Sequence, residues 1–212
     1  MVSVDPTLSA NRSVSLLRVK SGALVLSLST ARANELGFTD GERVDGGEVA
    51  ARLRGAGISL NDPDHLFYVT LPDQVALRDA AQGSATRQLT TVDAALFEEF
   101  TGEAPEVDLD EAFVELDHWL VFGTFVGDKL VCVASMYPWS GTQLADLGVI
   151  TLPAFRGQGL GRETVRAISA EALGRGYEPQ YRCQLDNASS VALARAAGFT
   201  QFGEWEVIVT DE

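Results

Sequence analysis

The chain of 212 residues contains little cysteine and little histidine, with two residues of each. Two isolated cysteines, Cys132 and Cys183, cannot form the disulfide framework of a small secreted domain, so we expect both to be reduced core residues. His65 and His118 lie far apart, and neither has a second ligand three or four residues away. We therefore expect both histidines to be structural, and we expect no bound metal.

The sequence also lacks a long apolar segment. No run approaches the ~18 consecutive apolar residues that a membrane-spanning helix needs. Residues 1–21 alternate polar and apolar side chains without the continuous apolar core of a signal peptide. We therefore expect a soluble, cytoplasmic protein that does not bind a membrane.

Basic residues are scarce relative to acidic ones. The chain has 30 acidic and 16 basic side chains, which give a formal net charge of −14. Neutralising nucleic-acid phosphates needs clustered lysine and arginine, so we expect no nucleic-acid partner. With 46% hydrophobic residues the chain can bury a substantial core, and its length allows one large domain or two small ones.

A short run of small and polar residues, Ala80–Ala85, divides the chain into two parts. We interpret it as a linker between a small N-terminal α/β domain, residues 1–82, and a larger domain, residues 86–212. The first part contains two strand-like runs, at 23–28 and 66–69, with a helical pattern between them. It carries no catalytic signature, and the sequence does not indicate its role.

The second part alternates strand-like and helical patterns. The runs 119–126 and 129–137 flank Gly127-Asp128, which is typical of a β-hairpin. The other predicted elements are, in order, a strand at 88–89, a helix capped by Thr90 and Asp93, a helix at 109–116, a strand at 145–152, a helix from Leu160 to Gly174 or Gly176, a strand at 180–185, a helix ending at Ala197 and a strand at 204–209. This order predicts a mixed α/β domain.

A glycine-rich turn, Arg156-Gly157-Gln158-Gly159-Leu160-Gly161, lies between a predicted strand and a predicted helix. Such a turn exposes backbone N–H groups at the positive end of the helix dipole, and glycine has no Cβ to keep a phosphate away. The dinucleotide fingerprint fails in both registers, because Arg162 or Thr164 stands where its last glycine is needed. The nucleoside-triphosphate loop fails because neither Lys20 nor Lys129 is near. The turn therefore predicts an anion site of another kind.

Two short patterns in this part of the chain occur together in one protein superfamily. The patterns Q/R-x-x-G-x-G/A and N-x(5)-L-x(4)-G-F are supplied by Arg156, Gly159 and Gly161 and by Asn187, Leu193 and Gly198-Phe199. In these patterns and in the order of predicted elements, residues 86–209 resemble the GNAT acetyltransferase superfamily. The resemblance implies an α/β fold, the GNAT acyl-CoA N-acyltransferase fold, in which a mixed and splayed sheet is flanked by helices.

The resemblance also implies that acetyl-CoA is the co-substrate and that an amine attacks its thioester directly. The backbone of Val149, Ile150 and Thr151 would pair with the pantetheine arm, and Asn187 would contact this arm or a bound water. An open strand edge can hold the extended pantetheine as an additional strand. The residues implied to enclose the pyrophosphate are Arg156, Gly157, Gln158, Gly159, Leu160, Gly161 and Arg162.

The candidate proton acceptor is Asp146, because the superfamily sometimes places a carboxylate on the strand before the cofactor-binding residues. The alternative is a capping or solvated aspartate. The sequence departs from the family at Ala194, where many members carry a tyrosine that protonates the leaving thiolate. Either Tyr137, Tyr181 or water replaces that tyrosine, or the protein binds acyl-CoA with little turnover, as a regulatory module.

Acidic residues are concentrated in one segment. Ten of the 25 residues from Asp93 to Asp117 are acidic and none is basic. The superfamily places its first two helices over the acceptor cleft, so this segment favours a cationic amine, with a solvated helix face as the alternative. Residues 156–195 carry six arginines against four acidic residues, a net +2 that suits a phosphate-bearing cofactor. The acceptor can be a small molecule or a protein amine, and the protein a monomer or a homodimer.

Overall fold

The structure is a computed structural model that describes residues 1–79, 83, 85–139 and 141–210. The predicted linker Ala80–Ala85 lies largely outside the described residues. The strands are β1 (Val2–Val4), β2 (Val14–Val19), β3 (Leu24–Leu28), β4 (Asp64–Val69), β5 (Thr86–Gln88), β6 (Leu120–Val126), β7 (Lys129–Pro138), β8 (Leu144–Thr151), β9 (Glu178–Gln184) and β10 (Phe199–Val207). The helices are α1 (Thr30–Leu36), α2 (Gly46–Gly55), α3 (Leu71–Asp79), α4 (Ala94–Glu103), α5 (Glu106–Ala112), α6 (Leu160–Gly174) and α7 (Ala188–Ala197).

The chain divides into two compact units, and each is discontinuous in sequence. The first unit comprises Met1–Leu66, Cys183–Asn187 and Gln201–Glu212, and the second comprises Phe67–Arg182 and Ala188–Thr200. Both units therefore draw on the C-terminal part of the chain. The predicted domains, 1–82 and 86–212, stay a prediction.

The first unit is a small α/β arrangement with the strand order β1-β3-β2-β10. β1 is parallel to β3, whereas β2 pairs antiparallel with both β3 and β10. Alternate residues of β2 and β3, such as Leu16 and Leu26, share one hydrophobic cluster with Val49 and Leu53 of α2. Helix α2 begins after Asp45, whose side chain accepts hydrogen bonds from the first backbone N–H groups of the helix.

The second unit contains the strand order β4-β9-β8-β7-β6-β5. β5, β6, β7 and β8 pair antiparallel in sequence order, and β8 pairs parallel with β9. The predicted hairpin between β6 and β7 is confirmed, and its turn residue Gly127 has a left-handed φ of 61°. The predicted cap before α4 is also confirmed, because Thr90 and Asp93 form a reciprocal capping box.

Helices cover both faces of this second sheet. Phe100 of α4 and Val114 after α5 share a hydrophobic cluster with Val133 and Ile150 on one face. Helix α6 lies on the other face, where Val165 is fully buried. The structure is thus the predicted mixed α/β fold with an open, splayed sheet flanked by helices.

The largest differences from the predicted boundaries lie in two elements. The helix expected at 109–116 ends at Ala112, because Phe113 adopts a left-handed φ of 47° and Val114 turns into the core. The last strand begins at Phe199, earlier than the expected residue 204. No helix in the described part of the chain is both long and apolar enough to span a membrane. The cytoplasmic location stays a prediction.

Candidate active site

Strands β8 and β9 pair along only part of their length. In the described residues their parallel register begins at Leu144 and ends at Leu147, whereas β8 continues to Thr151. On its other side β8 stays paired with β7 to its end, where Thr151 lies opposite Cys132. β8 therefore has an open edge over residues 148–151.

The alternation of hydrogen bonds decides which backbone groups face this open edge. The N–H of Leu152 donates to the carbonyl of Val131 at 3.0 Å, so in the antiparallel ladder Ile150 also bonds to β7. The N–H and C=O of Val149 and Thr151 therefore point towards the open edge. Of the three residues predicted to pair with pantetheine, Val149 and Thr151 present backbone groups there, while those of Ile150 are used within the sheet.

The glycine turn leads into the N-terminus of α6. Gly157 and Gly159 have left-handed φ values of 73° and 82°, which glycine adopts without strain. Gly159 is the N-cap residue, and no side chain caps the helix. The first four N–H donors of the helix belong to Gly159, Leu160, Gly161 and Arg162, and no residue that the structure describes accepts from them. The turn therefore offers four donors to an anion.

Two arginines lie beside these donors. Nε of Arg156 donates to the carbonyl of Thr151 at 3.0 Å, and its guanidinium pairs with Asp108 of α5. The exposed Arg162 has a guanidinium nitrogen 3.5 Å from the position that a Cβ on Gly159 would occupy. Arg162 makes no ion pair with a described residue, so its charge is available to a phosphate.

Close packing fixes the start of α6 on the sheet. A Cβ on Gly161 would lie 3.2 Å from Oγ1 of Thr151 and 3.3 Å from Cδ2 of Leu193. Oγ1 of Thr164 lies 2.6 Å from Oγ1 of Thr124 and donates to the carbonyl of Leu160 at 2.9 Å. The predicted Gly161 and Leu193 therefore meet where the helix approaches the strand.

Neither cysteine suits a nucleophilic role, and both are free thiols. Burial raises the pKa of Cys132, which is fully buried. Burial, with a smaller contribution from the Asp64 charge, raises the pKa of Cys183 to about 11. Both thiols therefore stay protonated at neutral pH, and Cys183 is half-buried rather than a core residue.

The predicted proton acceptor Asp146 lies in a buried hydrogen-bond network. Its Oδ1 accepts from Nε2 of Gln180 at 3.1 Å, and its Oδ2 accepts from the Arg182 guanidinium at 3.0 Å and from the Tyr137 hydroxyl at 3.2 Å. Both oxygens of this carboxylate are therefore already engaged by hydrogen-bond donors, one of them a cation. The geometry argues against the proton-acceptor role, and the alternative of a solvated aspartate is wrong because Asp146 is 4% exposed.

The residues considered as the proton donor to the leaving thiolate differ in position. Ala194 is fully buried, so no hydroxyl occupies the place of the family's tyrosine. Tyr181 is 2% exposed and packs edge-on against Phe67 and Phe199. Tyr137 instead carries its hydroxyl into the network of Asp146.

An aromatic cluster that the sequence did not predict lies after α5. The rings of Phe113, His118 and Tyr137 have centroids 5.0 to 5.7 Å apart. Phe113 is 51% exposed and has the left-handed backbone that costs most residues ~1–2 kcal/mol. We call these three residues the aromatic cluster. The one sequence feature that could have pointed to this cluster is His118, which directly follows the acidic segment. From the sequence we expect it to be structural, because no second metal ligand lies nearby.

The imidazole of His118 is mostly buried. Its Nδ1 lies 2.8 Å from Oγ of Ser135, and its Nε2 lies 3.7 Å from a carboxylate oxygen of Glu115. Burial lowers the pKa of His118, while the charges of Glu115 and Asp117 oppose this shift. The imidazole is therefore neutral at pH 7.

The aromatic cluster is held beside the open edge by the contact between α5 and β8. A Cβ on Gly148 would collide with the carbonyl oxygen of Ala112, so this approach needs glycine. Gly148 lies opposite Ser135 on β7 and directly precedes Val149. The cluster, which begins at Phe113, is therefore placed next to the open edge of β8.

The acidic segment is partly neutralised within the protein. Four of its carboxylates lie within ion-pair distance of a basic side chain: Asp93 with Arg87, Glu103 with Lys129, Asp108 with Arg156 and Glu115 with His118. The other six are exposed and pair with no described basic residue: Glu98, Glu99, Glu106, Asp110, Glu111 and Asp117. The described residues contain no group of three metal-ligating side chains.

Solved structures with the same arrangement share the GNAT fold. A GNAT-family protein from Novosphingobium aromaticivorans is 18% identical, with a TM-score of 0.56 over 74% of this chain and 68% of that chain. The GNAT-family acetyltransferase from Colwellia psychrerythraea is 16% identical, with a TM-score of 0.53 over 79% of this chain and 64% of that chain. The GNAT domain of PAT from S. lividans is 15% identical, with a TM-score of 0.50 over 58% of this chain and 88% of that chain. The fold is therefore that of a GNAT acyltransferase.

The sequence itself identifies the family. The profile described as GNAT acetyltransferase matches residues 68–208, more than half of the chain. No curated protein matches the sequence. The chain belongs to the GNAT acetyltransferase family, which implies acyl transfer from acyl-CoA.

Proposed function

We propose that the protein is an N-acetyltransferase that moves an acetyl group from acetyl-CoA to a cationic amine. The observation that carries the proposal is the open edge of β8 beside the four unpaired N–H donors of the glycine turn. The open edge suits the extended pantetheine arm, and the donors suit the pyrophosphate. One ligand that contains both groups, CoA, accounts for both features.

The chain's own residues bind each part of CoA in this proposal. The C=O of Val149 and the N–H of Thr151 pair with the pantetheine amides, and Ile150 between them holds β8 to β7. The N–H groups of residues 159–162 and the Arg162 guanidinium hold the pyrophosphate, and Arg156 to Gln158 complete the turn. Asn187 belongs to the first compact unit, so its contact with pantetheine stays a prediction.

Acetyl-CoA supplies an activated acetyl group as a thioester. The amine nitrogen attacks the carbonyl carbon, the new C–N bond forms, and the C–S bond breaks. The backbone N–H of Val149 at the open edge stabilises the negative charge that develops on the carbonyl oxygen. A thiolate whose thiol has a pKa near 8.5 leaves without help from a strong acid. Water or Tyr137 can therefore protonate it in place of the family's tyrosine, which Ala194 replaces in this chain.

The cationic acceptor is supported by the six unpaired carboxylates of the acidic segment. Carboxylates clustered around a cleft attract cations and raise their local concentration. The acceptor class, small molecule or protein, and the monomeric or homodimeric state stay open in this proposal.

A second candidate function is supported by the buried Ala194. Without the tyrosine, general-acid assistance usually worth ~10² to 10⁴ in rate is missing. In this alternative the protein binds acyl-CoA as a regulatory module with little turnover. The two candidates differ in the release of free CoA thiol.

Ligand-dependent melting tests the site. We expect CoA and acetyl-CoA at 100 times their Kd to stabilise the protein by ~2.7 kcal/mol, a rise in Tm of roughly 5 to 11 °C. ATP and NAD serve as controls and are expected to leave Tm unchanged, because they lack the pantetheine arm. Stabilisation by ATP or NAD but not by CoA would assign the glycine turn to a nucleotide and contradict the proposal.

Thiol release from acetyl-CoA across a panel of amines then separates the enzyme from the regulatory module. We expect release with cationic amines. Binding of acetyl-CoA without thiol release on any amine would support the regulatory module instead.

A further inference from the structure

We propose that His118 accepts the proton of the acceptor amine and that the Phe113 and Tyr137 rings form the surface on which this amine lies. The inference rests on the proposed function. It assigns the general base to His118, which the sequence predicts to be structural, and an acceptor surface to Phe113 and Tyr137.

The buried carboxylate at the start of β8 is already occupied. Asp146 accepts hydrogen bonds from Gln180, Arg182 and Tyr137, so both of its carboxylate oxygens already have donors. An ammonium group must nevertheless lose a proton before its nitrogen can attack a thioester. Another group beside the open edge is needed.

His118 meets the requirements of that group. Its Nδ1 can donate to the Ser135 hydroxyl 2.8 Å away, which leaves the lone pair on Nε2. Glu115 lies 3.7 Å from Nε2, and its negative charge stabilises the imidazolium that forms when a proton arrives. A general base works best with a pKa near the operating pH and in its neutral form, and His118 is neutral at pH 7.

Charged and titratable groups face His118 from several elements. Glu115 and Asp117 flank it on its own segment, and Tyr137 faces it from β7. Beyond Tyr137 the charges of Asp146 on β8 and Arg182 on β9 oppose each other. The net effect of these charges is to favour a cation near His118.

Phe113 provides the second, independent observation. Phe113 is half exposed, and its backbone has the left-handed conformation that strains most residues but not glycine. A large exposed ring therefore stands where glycine would be the unstrained choice. Strained residues with exposed side chains cluster at ligand sites, and aromatic faces attract cations within about 6 Å. The acceptor class that fits is an alkylammonium whose carbon chain packs on the aromatic cluster.

Each proton that the amine loses has an acceptor. The ammonium gives one proton to Nε2 of His118, and the neutral amine nitrogen then attacks the thioester carbonyl. After the C–S bond breaks, the nitrogen loses a second proton, which ends on the CoA thiolate. The first proton passes from His118 to solvent, so the products are an N-acetyl amine, CoA thiol and one proton.

The test compares His118→Gln with His65→Gln, which changes the other histidine of the chain in the first compact unit. We expect His118→Gln to lower kcat/KM for the amine by about 10² or more and to keep the Tm rise with CoA. In the wild type kcat/KM falls as the pH drops through the lowered pKa of His118, below 6.5, and this fall is absent in His118→Gln. We expect His65→Gln to behave as the wild type.

Two further variants keep the test decisive if His118→Gln folds poorly. Glu115 is exposed, and its charge raises the pKa of His118, so Glu115→Gln should move the acid limb of the pH profile to lower pH. Phe113→Gly removes the ring contacts with His118 and Tyr137 but also relieves the left-handed strain, so we expect it to fold while KM for the amine rises about tenfold. Its KM for acetyl-CoA should not change.

The outcomes distinguish this inference from the proposed function. No thiol release by the wild type with any amine overturns both. Wild-type turnover with an acid limb that neither His118→Gln nor Glu115→Gln moves overturns the role of His118 alone. Wild-type turnover with an unchanged amine KM in Phe113→Gly overturns the acceptor surface.

Discussion

Gly159→Asp is expected to abolish the stabilisation of the protein by CoA. Gly159 has a φ of 82° and supplies the first of the four unpaired N–H donors at the start of α6. Aspartate there places a carboxylate where the proposed pyrophosphate lies. Two negative charges about 4 Å apart repel by ~4 kcal/mol at an effective dielectric constant of 20, which weakens binding roughly 10³-fold.

The nearby arginine enlarges this effect. A guanidinium nitrogen of Arg162 lies 3.5 Å from the position of the new Cβ, so the introduced carboxylate pairs with it and removes its charge from the site. The loss of affinity therefore combines repulsion with the loss of a cation. The change in Tm with CoA concentration measures it directly.

Gly176→Asp is the matched control. Gly176 follows α6, has the same φ of 82° and has nothing within 4 Å of a built Cβ. Both variants carry the same backbone strain and the same added charge, but only Gly159→Asp places that charge in the glycine turn. Unchanged CoA binding by Gly159→Asp would show that the glycine turn does not hold the phosphate.

Gly148→Ala is expected to destabilise the protein by about 3 kcal/mol, a fall in Tm of roughly 6 to 12 °C. The added Cβ meets the carbonyl oxygen of Ala112, which is backbone and cannot rotate away as a side chain does. This clash can be relieved only if α5 moves away from β8. Because Phe113 follows Ala112, that movement also disturbs the aromatic cluster.

Gly102→Ala supplies the control for this substitution. Gly102 lies in α4, and a Cβ there has nothing within 4 Å. Alanine is favoured over glycine in a helix by up to ~1 kcal/mol, so this variant should be slightly more stable than the wild type. A Tm for Gly148→Ala within 2 °C of the wild type, a margin of about 1 kcal/mol, would contradict the close approach of α5 and β8.

Local patterns in the sequence were sufficient to predict most of the helices and strands. The hairpin was predictable because Gly127 has the left-handed turn conformation that its position requires. The segment that leads into α4 was predictable because Thr90 and Asp93 form a reciprocal cap on the 3-10 turn Thr91–Asp93. The end of α5 was not predictable in this way. Apolar spacing continues through Val114 and Leu116, but these residues pack into the core from outside a helix.

Some features of the candidate site could likewise be predicted from the sequence, whereas others depend on the tertiary structure. The sequence by itself determined the glycine turn and the family, because short-range glycine spacing and the order of elements encode them. Only the tertiary structure decided that the pairing of β8 with β9 ends at Leu147, that Arg182 pairs with Asp146, and that His118 contacts Ser135. Those contacts join residues up to 36 positions apart, and no local spacing encodes them because register and side-chain packing bring them together.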